Sequence, residues 1–166
     1  VESYKEKLVK ISCFILDVDG VLTNGKLILV PGGEQARVMH IRDGYAVQHA
    51  LKSGYKVLIL SGGKSEEVRS RLKGLGVRDI EMNCDDKLNA LIDYMAEHDL
   101  KKEEILYIGD DIPDLQAMKT CGLAACPNDA AEEIKKICHY ISPIRGGEGC
   151  VRDIIEQALK VQGKWQ

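Results

Sequence analysis

Four places in the chain carry residue types that could do chemistry together. The first is Asp17-Val18-Asp19-Gly20, at the end of the apolar run Cys13-Phe14-Ile15-Leu16. An apolar run bounded by turn signals predicts a buried strand, and side chains two apart lean to the same face. Asp17 and Asp19 can therefore converge at the strand's C-terminal end, where open α/β sheets place their ligands. Two carboxylates there repel each other unless a cation or a shared proton intervenes. Alone, the motif is equally an ordinary solvated turn. The second place is Ser61-Gly62-Gly63, after the apolar run Val57-Leu58-Ile59-Leu60. A hydroxyl and free backbone N–H groups ahead of a helix suit an anion, although Ser-Gly-Gly is also common loop. The third is Lys87, which opens a helix and so opposes its macrodipole. A bound phosphate would explain it; standing alone, a solvated lysine would be the better reading. The fourth is Gly109-Asp110-Asp111-Ile112-Pro113-Asp114. Helix capping explains Asp111 and Asp114 but hardly a third acid, and Mg²⁺ takes oxygen ligands.

Together the four places supply Asp17, Asp19, Asp110, Asp111, Asp114, Ser61 and Lys87. So much negative charge on one rim is costly without a divalent cation. With Mg²⁺ bound, the set suits phosphoryl transfer, which needs positioning and charge neutralisation.

The elements that must position these residues alternate. Strands are expected at the two runs above, at Asp79 to Met82, Ile105 to Ile108 and Leu123 to Ala125, with an edge strand at Tyr140-Ile141. Helices are expected over residues 3–9, from Asp43-Gly44 to about Lys52, and from Ser65 to Leu75. Others follow at Lys87 to His98, with Leu88, Leu91, Ile92 and Met95 on one face, after Pro113, and at about Val151 to Val161. A capping-box-like Asp129…Glu132 predicts one more helix, Asp129 to Ile137. Strands alternating with helices give an α/β fold, a Rossmann-like parallel sheet with helices on both faces. Leu27 to Val30 and Ala36 to His40, split by Pro31-Gly32-Gly33, predict a small β-hairpin inserted after the first strand, about residues 22–40.

The chain has 166 residues, which fits one domain over 1–166, and a net charge of -3 with acids and bases interspersed. No basic tract points to nucleic acid, and no apolar run reaches the ~18 residues of a membrane span. The charged start, Val1-Glu2-Ser3-Tyr4-Lys5-Glu6-Lys7, lacks the apolar stretch of a signal peptide. The 6 cysteines form no CxxC pair and several sit in apolar runs, as expected of buried free thiols in a reducing, cytoplasmic compartment.

In this order, Asp17-Val18-Asp19-Gly20-Val21, Ser61, Lys87 and Gly109-Asp110-Asp111-x-x-Asp114 resemble the four motifs of the haloacid dehalogenase superfamily of aspartate-nucleophile phosphatases. The resemblance runs from residue 11 to 125. The hairpin, Asp43-Gly44 and the loop Arg145-Gly146-Gly147-Glu148-Gly149 are similar to the capless branch, which includes phosphatases of 3-deoxy-D-manno-octulosonate 8-phosphate and of nine-carbon sugar-acid 9-phosphates. The resemblance implies that Asp17 attacks phosphorus and that Asp19 protonates the leaving oxygen and then serves as base, which requires surroundings that let Asp19 hold a proton. It implies Mg²⁺ on Asp17, the backbone carbonyl of Asp19, and Asp110, supported by Asp111 and Asp114. Ser61, Gly62, Gly63 and Lys87 would bind the phosphoryl group. Arg71, contributed across a subunit interface, or Arg145 would meet the substrate carboxylate. The branch's nine-carbon members tend to carry a glutamate at the position of Gly63, so Gly63 points to the eight-carbon substrate.

Apolar residues on both faces of the hairpin need a partner, and similar phosphatases pair such hairpins between subunits, so a homotetramer is expected. A receiver domain would place its acidic pair and acceptor in a different order. A non-catalytic phosphatase-like oligomerisation module would not need Asp17 and Asp19 intact. A phosphatase of the same fold acting on a nine-carbon sugar acid stays open.

Overall fold

The computed structural model describes residues 2–166. In chain order the elements are α1 (Tyr4–Leu8), β1 (Cys13–Leu16), β2 (Ile28–Leu29), β3 (Gln35–Ala36), α2 (Ile41–Lys52), β4 (Lys56–Leu60), α3 (Glu66–Gly74), β5 (Asp79–Glu81), α4 (Lys87–Glu97), β6 (Ile105–Ile108), α5 (Leu115–Thr120), β7 (Leu123–Cys126), α6 (Glu132–Lys135), β8 (Tyr140–Ile141) and α7 (Cys150–Val161). Two 3₁₀ turns precede β6 and α5.

The main sheet has 6 strands in the order β5-β4-β1-β6-β7-β8. Every pairing in it is parallel. The chain winds outward from β1 through β4 to β5, then crosses back to β6 and winds the other way. That reversal leaves a crevice at the C-terminal ends of β1 and β6. Along β1 the pleat splits the core. Phe14 and Leu16 pack with α1, α2, α3 and α7 on one face, while Cys13 and Ile15 pack with α4, α5 and α6 on the other. All four β1 residues are fully buried, which is why the strand reads as an uninterrupted apolar run.

Four expectations shift. The hairpin pairs Ile28 with Ala36 and Leu29 with Gln35, so its second strand starts earlier than the apolar run and stops before Arg37. α2 begins at Ile41 rather than Asp43, capped by the His40 ring, which accepts the Arg42 N–H at 3.1 Å. α6 spans only Glu132–Lys135, with no side-chain cap, because the Asp129 carboxylate accepts the Gly146 N–H at 2.9 Å instead of starting its own helix. α4 buries Lys87, Leu91 and Tyr94 and leaves Ile92 49% exposed, so its inward face is turned from the expected apolar stripe. Lys87 is drawn inward by Asp17 and Asp114, and the residues at helical spacing from it follow.

Candidate active site

Asp17 directly follows β1, and its backbone N–H donates to the Ile108 carbonyl of β6 at 3.1 Å, extending the ladder by one bond. Its carboxylate is buried and accepts the Val18 N–H at 2.7 Å. Lys87, buried in the first turn of α4, places Nζ 2.9 Å from Asp17 Oδ1 and 2.7 Å from Asp114 Oδ1. Asp114 is fully buried; its Oδ1 also accepts the Tyr107 hydroxyl at 2.7 Å, and its Oδ2 accepts the Asp110 N–H at 3.2 Å. Asp17, Asp110 and Asp114 each offer a carboxylate oxygen, all within 4.8 Å of one another.

One lysine does not balance three acids. Burial, then the Asp114 charge, holds the Asp17 carboxyl well above the usual carboxylate range, with Lys87 pulling the other way. Burial and Asp114 likewise push Asp110 up to about 6. Burial alone would lower the Lys87 ammonium, but Asp17 and Asp114 together hold it above its ordinary value. Burial and the adjacent Asp114 push the Tyr107 phenol well up, so Tyr107 acts as a donor to the carboxylate. The group is short of positive charge, the condition that a hard dication relieves.

The turn that aims these groups is tightly packed. Gly20 has φ 84°, and a Cβ on it would collide with Asp110 Oδ2. Gly146 lies so close to the Gly20 carbonyl that it too admits no side chain. The Gly147 N–H donates to the Val21 carbonyl at 3.0 Å. The late glycine loop is thus a buttress behind the turn that carries Asp19.

Ser61, buried directly after β4, accepts the Gly63 N–H on Oγ at 3.1 Å. A Cβ on Gly62 would stand in open space. One on Gly63 would lie 3.4 Å from Ser61 Oγ, 3.5 Å from Asp19 Oδ2 and 3.2 Å from Arg37 Nη2, so Gly63 sits at the mouth of the site. Asp19 is gripped by Arg37, with Nε 2.7 Å from Oδ1 and Nη2 3.2 Å from Oδ2. A guanidinium of the hairpin thus faces Asp19 at the mouth of the site. Beyond it, between the hairpin and α3, lies a cavity of about 650 Å³ whose lining includes Arg37, Met39, Lys64, Val68 and Arg71.

Of the residues singled out in the sequence, Asp17, Asp19, Ser61, Gly63, Lys87, Asp110 and Asp114 converge here. Asp111 does not join them: it is exposed and its carboxylate accepts the Ile112 N–H at 2.8 Å. Arg71 is exposed on the cavity wall. Arg145 has a side chain 65% exposed, with Nε 3.6 Å from Asp129. Sequence reasoning missed Arg37 and Tyr107. The signals were a lone cation inside the apolar run Ala36 to Met39 and a polar tip inside the otherwise aliphatic β6.

The haloacid dehalogenase-like hydrolase family profile matches residues 79–152. The chain is 34% identical over 158 residues to the 3-deoxy-D-manno-octulosonate 8-phosphate phosphatase of Escherichia coli K12, covering 95% of this chain and 84% of that one. The crystal structure of a probable phosphatase of the YrbI family from Pseudomonas syringae superposes with a TM-score of 0.94 at 34% identity, over 96% of this chain and 91% of the other. That of the Moraxella catarrhalis 3-deoxy-D-manno-octulosonate 8-phosphate phosphatase, in complex with magnesium, phosphate and the sugar acid, superposes with 0.93 at 33% identity, over 97% and 92%.

Proposed function

The chain belongs to the haloacid dehalogenase-like hydrolases, and we propose that within them it is a Mg²⁺-dependent phosphatase of 3-deoxy-D-manno-octulosonate 8-phosphate. The observation that carries this reading is Asp17, held buried at the end of β1 by Lys87 and beside Asp110 and Asp114, at the sheet's topological switch point. That is a nucleophile, a cation for the phosphoryl oxygens and a set of hard oxygen donors in one crevice.

Asp17 attacks phosphorus, the ester bond breaks, and the sugar oxygen departs with a proton from Asp19. Water then attacks the aspartyl-phosphate, giving its proton to Asp19 as the Asp17–phosphorus bond breaks. Ser61, the Gly62 N–H and Lys87 hold the phosphoryl oxygens, with Gly63 positioning the Ser61 hydroxyl through its own N–H. Mg²⁺ suits the all-carboxylate donor set and its excess of negative charge; when bound it neutralises the phosphoryl oxygens. We assign its ligation to Asp17, Asp110 and the Asp19 backbone carbonyl. Asp114 supports them, since both its oxygens already accept hydrogen bonds. Asp111, being exposed, has at most a water-mediated part.

Gly63 favours the eight-carbon sugar acid, because at the mouth between Asp19 and Ser61 it offers no side chain to hydrogen-bond the extra hydroxyls of a nine-carbon chain. The substrate carboxylate meets Arg71 of a neighbouring subunit, with Arg145 the second candidate. A homotetramer is supported by the hairpin, where Ile28, Leu29 and Val38 are 53%, 77% and 55% exposed. The free cysteines support a reducing cytoplasm, and the product would feed lipopolysaccharide precursor synthesis.

The test is phosphate release from eight- and nine-carbon sugar-acid phosphates, with Mg²⁺ or a chelator, by wild type and Asp17→Asn. Turnover should require both the metal and Asp17. Preference for a nine-carbon 9-phosphate would overturn the substrate and spare the mechanism; no release from any ester would favour an oligomerisation module.

A further inference from the structure

We propose that Arg37 is the positioning residue for Asp19, so that the β2–β3 hairpin completes the active site of its own chain; this rests on the phosphatase reading above. The hairpin around Arg37 is solvated: Leu27, Ile28, Leu29, Gln35, Ala36 and Val38 are all exposed. Arg37 departs from that pattern, with a side chain only 8% exposed. Ordering a long arginine in this way costs rotamer entropy, which a simple point-charge ion pair at a partly solvated site rarely returns. The return comes from geometry. Nε and Nη2 take one oxygen each of the Asp19 carboxylate, and Nη1 is itself pinned by donating to the Gln35 carbonyl at 3.1 Å. A two-point fork fixes the plane of a carboxylate as well as its position.

Among the described residues no other group hydrogen-bonds the Asp19 carboxylate, whose side chain is 40% exposed. Asp17 and Asp114, by contrast, are held by Lys87, backbone N–H groups and Tyr107. The orientation of Asp19 therefore comes from the hairpin and not from the turn that carries it. The fork bears on the step in which Asp19 acts as carboxylate. Water's oxygen bonds to phosphorus, its proton passes to Asp19, and the bond from phosphorus to Asp17 breaks. A carboxylate free to rotate would meet that water less often.

The experiment measures kcat and KM with 4-nitrophenyl phosphate for wild type, Arg37→Met, Arg37→Lys, Asp19→Asn and the Arg37→Met/Asp19→Asn pair, with solution mass for each. Arg37→Met should lose roughly tenfold or more in kcat, part of the roughly 10²–10⁴ that acid–base catalysis contributes, with no rise in KM. Arg37→Lys, which keeps the charge but not the fork, should fall between. On the Asp19→Asn background the Met substitution should cost little, since its effect runs through Asp19. A raised KM at unchanged kcat would make Arg37 a substrate contact and overturn the proposal, as would multiplicative losses in the pair. If Arg37→Met loses the wild-type mass, Arg37→Lys at wild-type mass decides. A wild type that releases no 4-nitrophenolate would sink the phosphatase reading and this one with it; a normal wild type with a normal Arg37→Met sinks only this one.

Discussion

Replacing Asp43 by asparagine should flatten part of the stability–pH curve of this protein. Asp43 lies in the first turn of α2 but caps a different helix, its Oδ1 accepting the Arg152 N–H of α7 at 2.8 Å. The residue is 1% exposed, and Oδ2 is buried with no partner among the described residues. Burial pushes the carboxyl from its ordinary 3.8 up to about 6, against the opposing pull of the α7 backbone N–H groups and His40. The folded-state value lies above the unfolded one, so the folded chain binds more protons between them. The stability contributed by this group is then fully present below pH 3.8 and is lost as pH rises through about 6. At about 1.4 kcal/mol per pH unit, the full loss attributable to this one group is about 3 kcal/mol. The asparagine side chain would keep an acceptor for the Arg152 N–H and carry no charge. Urea midpoints at fixed protein concentration, from pH 4.5 to 7.5, should therefore show wild type losing about 2 kcal/mol more than Asp43→Asn, a relative shift of about 1 M. Asp17 and Asp110 titrate with the same sign, but they are common to both chains and cancel in the comparison. Parallel curves for the two proteins would refute the claim that burial governs this carboxyl.

Other substitutions test the site's supports. Tyr107→Phe removes one of the two donors on Asp114 Oδ1 while keeping the ring in the core; it should cost about 1–2 kcal/mol in urea unfolding and lower kcat several-fold. Gly146→Ala should destabilise the fold by about 2 kcal/mol or more and reduce kcat, because its Cβ would push on the Gly20 carbonyl and so on the turn beside Asp110; unchanged unfolding would show that the loop yields freely. Gly63→Glu, which brings a carboxylate toward Arg37, Ser61 and Asp19, should shift the eight- to nine-carbon preference in kcat/KM by roughly tenfold or more, read on matched sugar-acid phosphates.

The sheet was legible because its inner strands are buried on both faces, so sequence shows them as apolar runs with chemistry at their ends. Asp17, Ser61 and Asp110 each stand one or two residues past such a run, and Lys87 opens the helix facing them. Local pattern was enough to bring them together because in a parallel sheet all strand C-termini share one edge. Asp111 stands beside Asp110 in sequence, but the structure turns its carboxylate to the next residue's N–H, the capping role that the sequence also offered for it.

What could not be read locally shares one physical cause: a polar side chain whose partner belongs to another element. Asp43 and Asp129 both stand where a carboxylate usually caps its own helix, and sequence reasoning assigned Asp129 that way and opened α2 at Asp43. Their acceptors instead serve Arg152 and Gly146, so one ties α2 to the start of α7 and the other braces the glycine loop. Arg37 inverts the case, a cation on a solvated hairpin that reaches back to Asp19. In each pair, removing either member would leave a buried or half-buried polar group unmatched, which costs more than the bond itself is worth. The three contacts converge on one place. Asp43 fixes the helix that follows the glycine loop, Asp129 holds the loop, the loop backs Gly20, and Gly20 adjoins Asp19, which Arg37 holds from the front. The turn from Asp17 to Thr23 closes its own backbone on the Val18 carbonyl; what it cannot supply from its own residues is a countercharge for Asp17 and Asp19, and that comes from Lys87 and Arg37 on other elements.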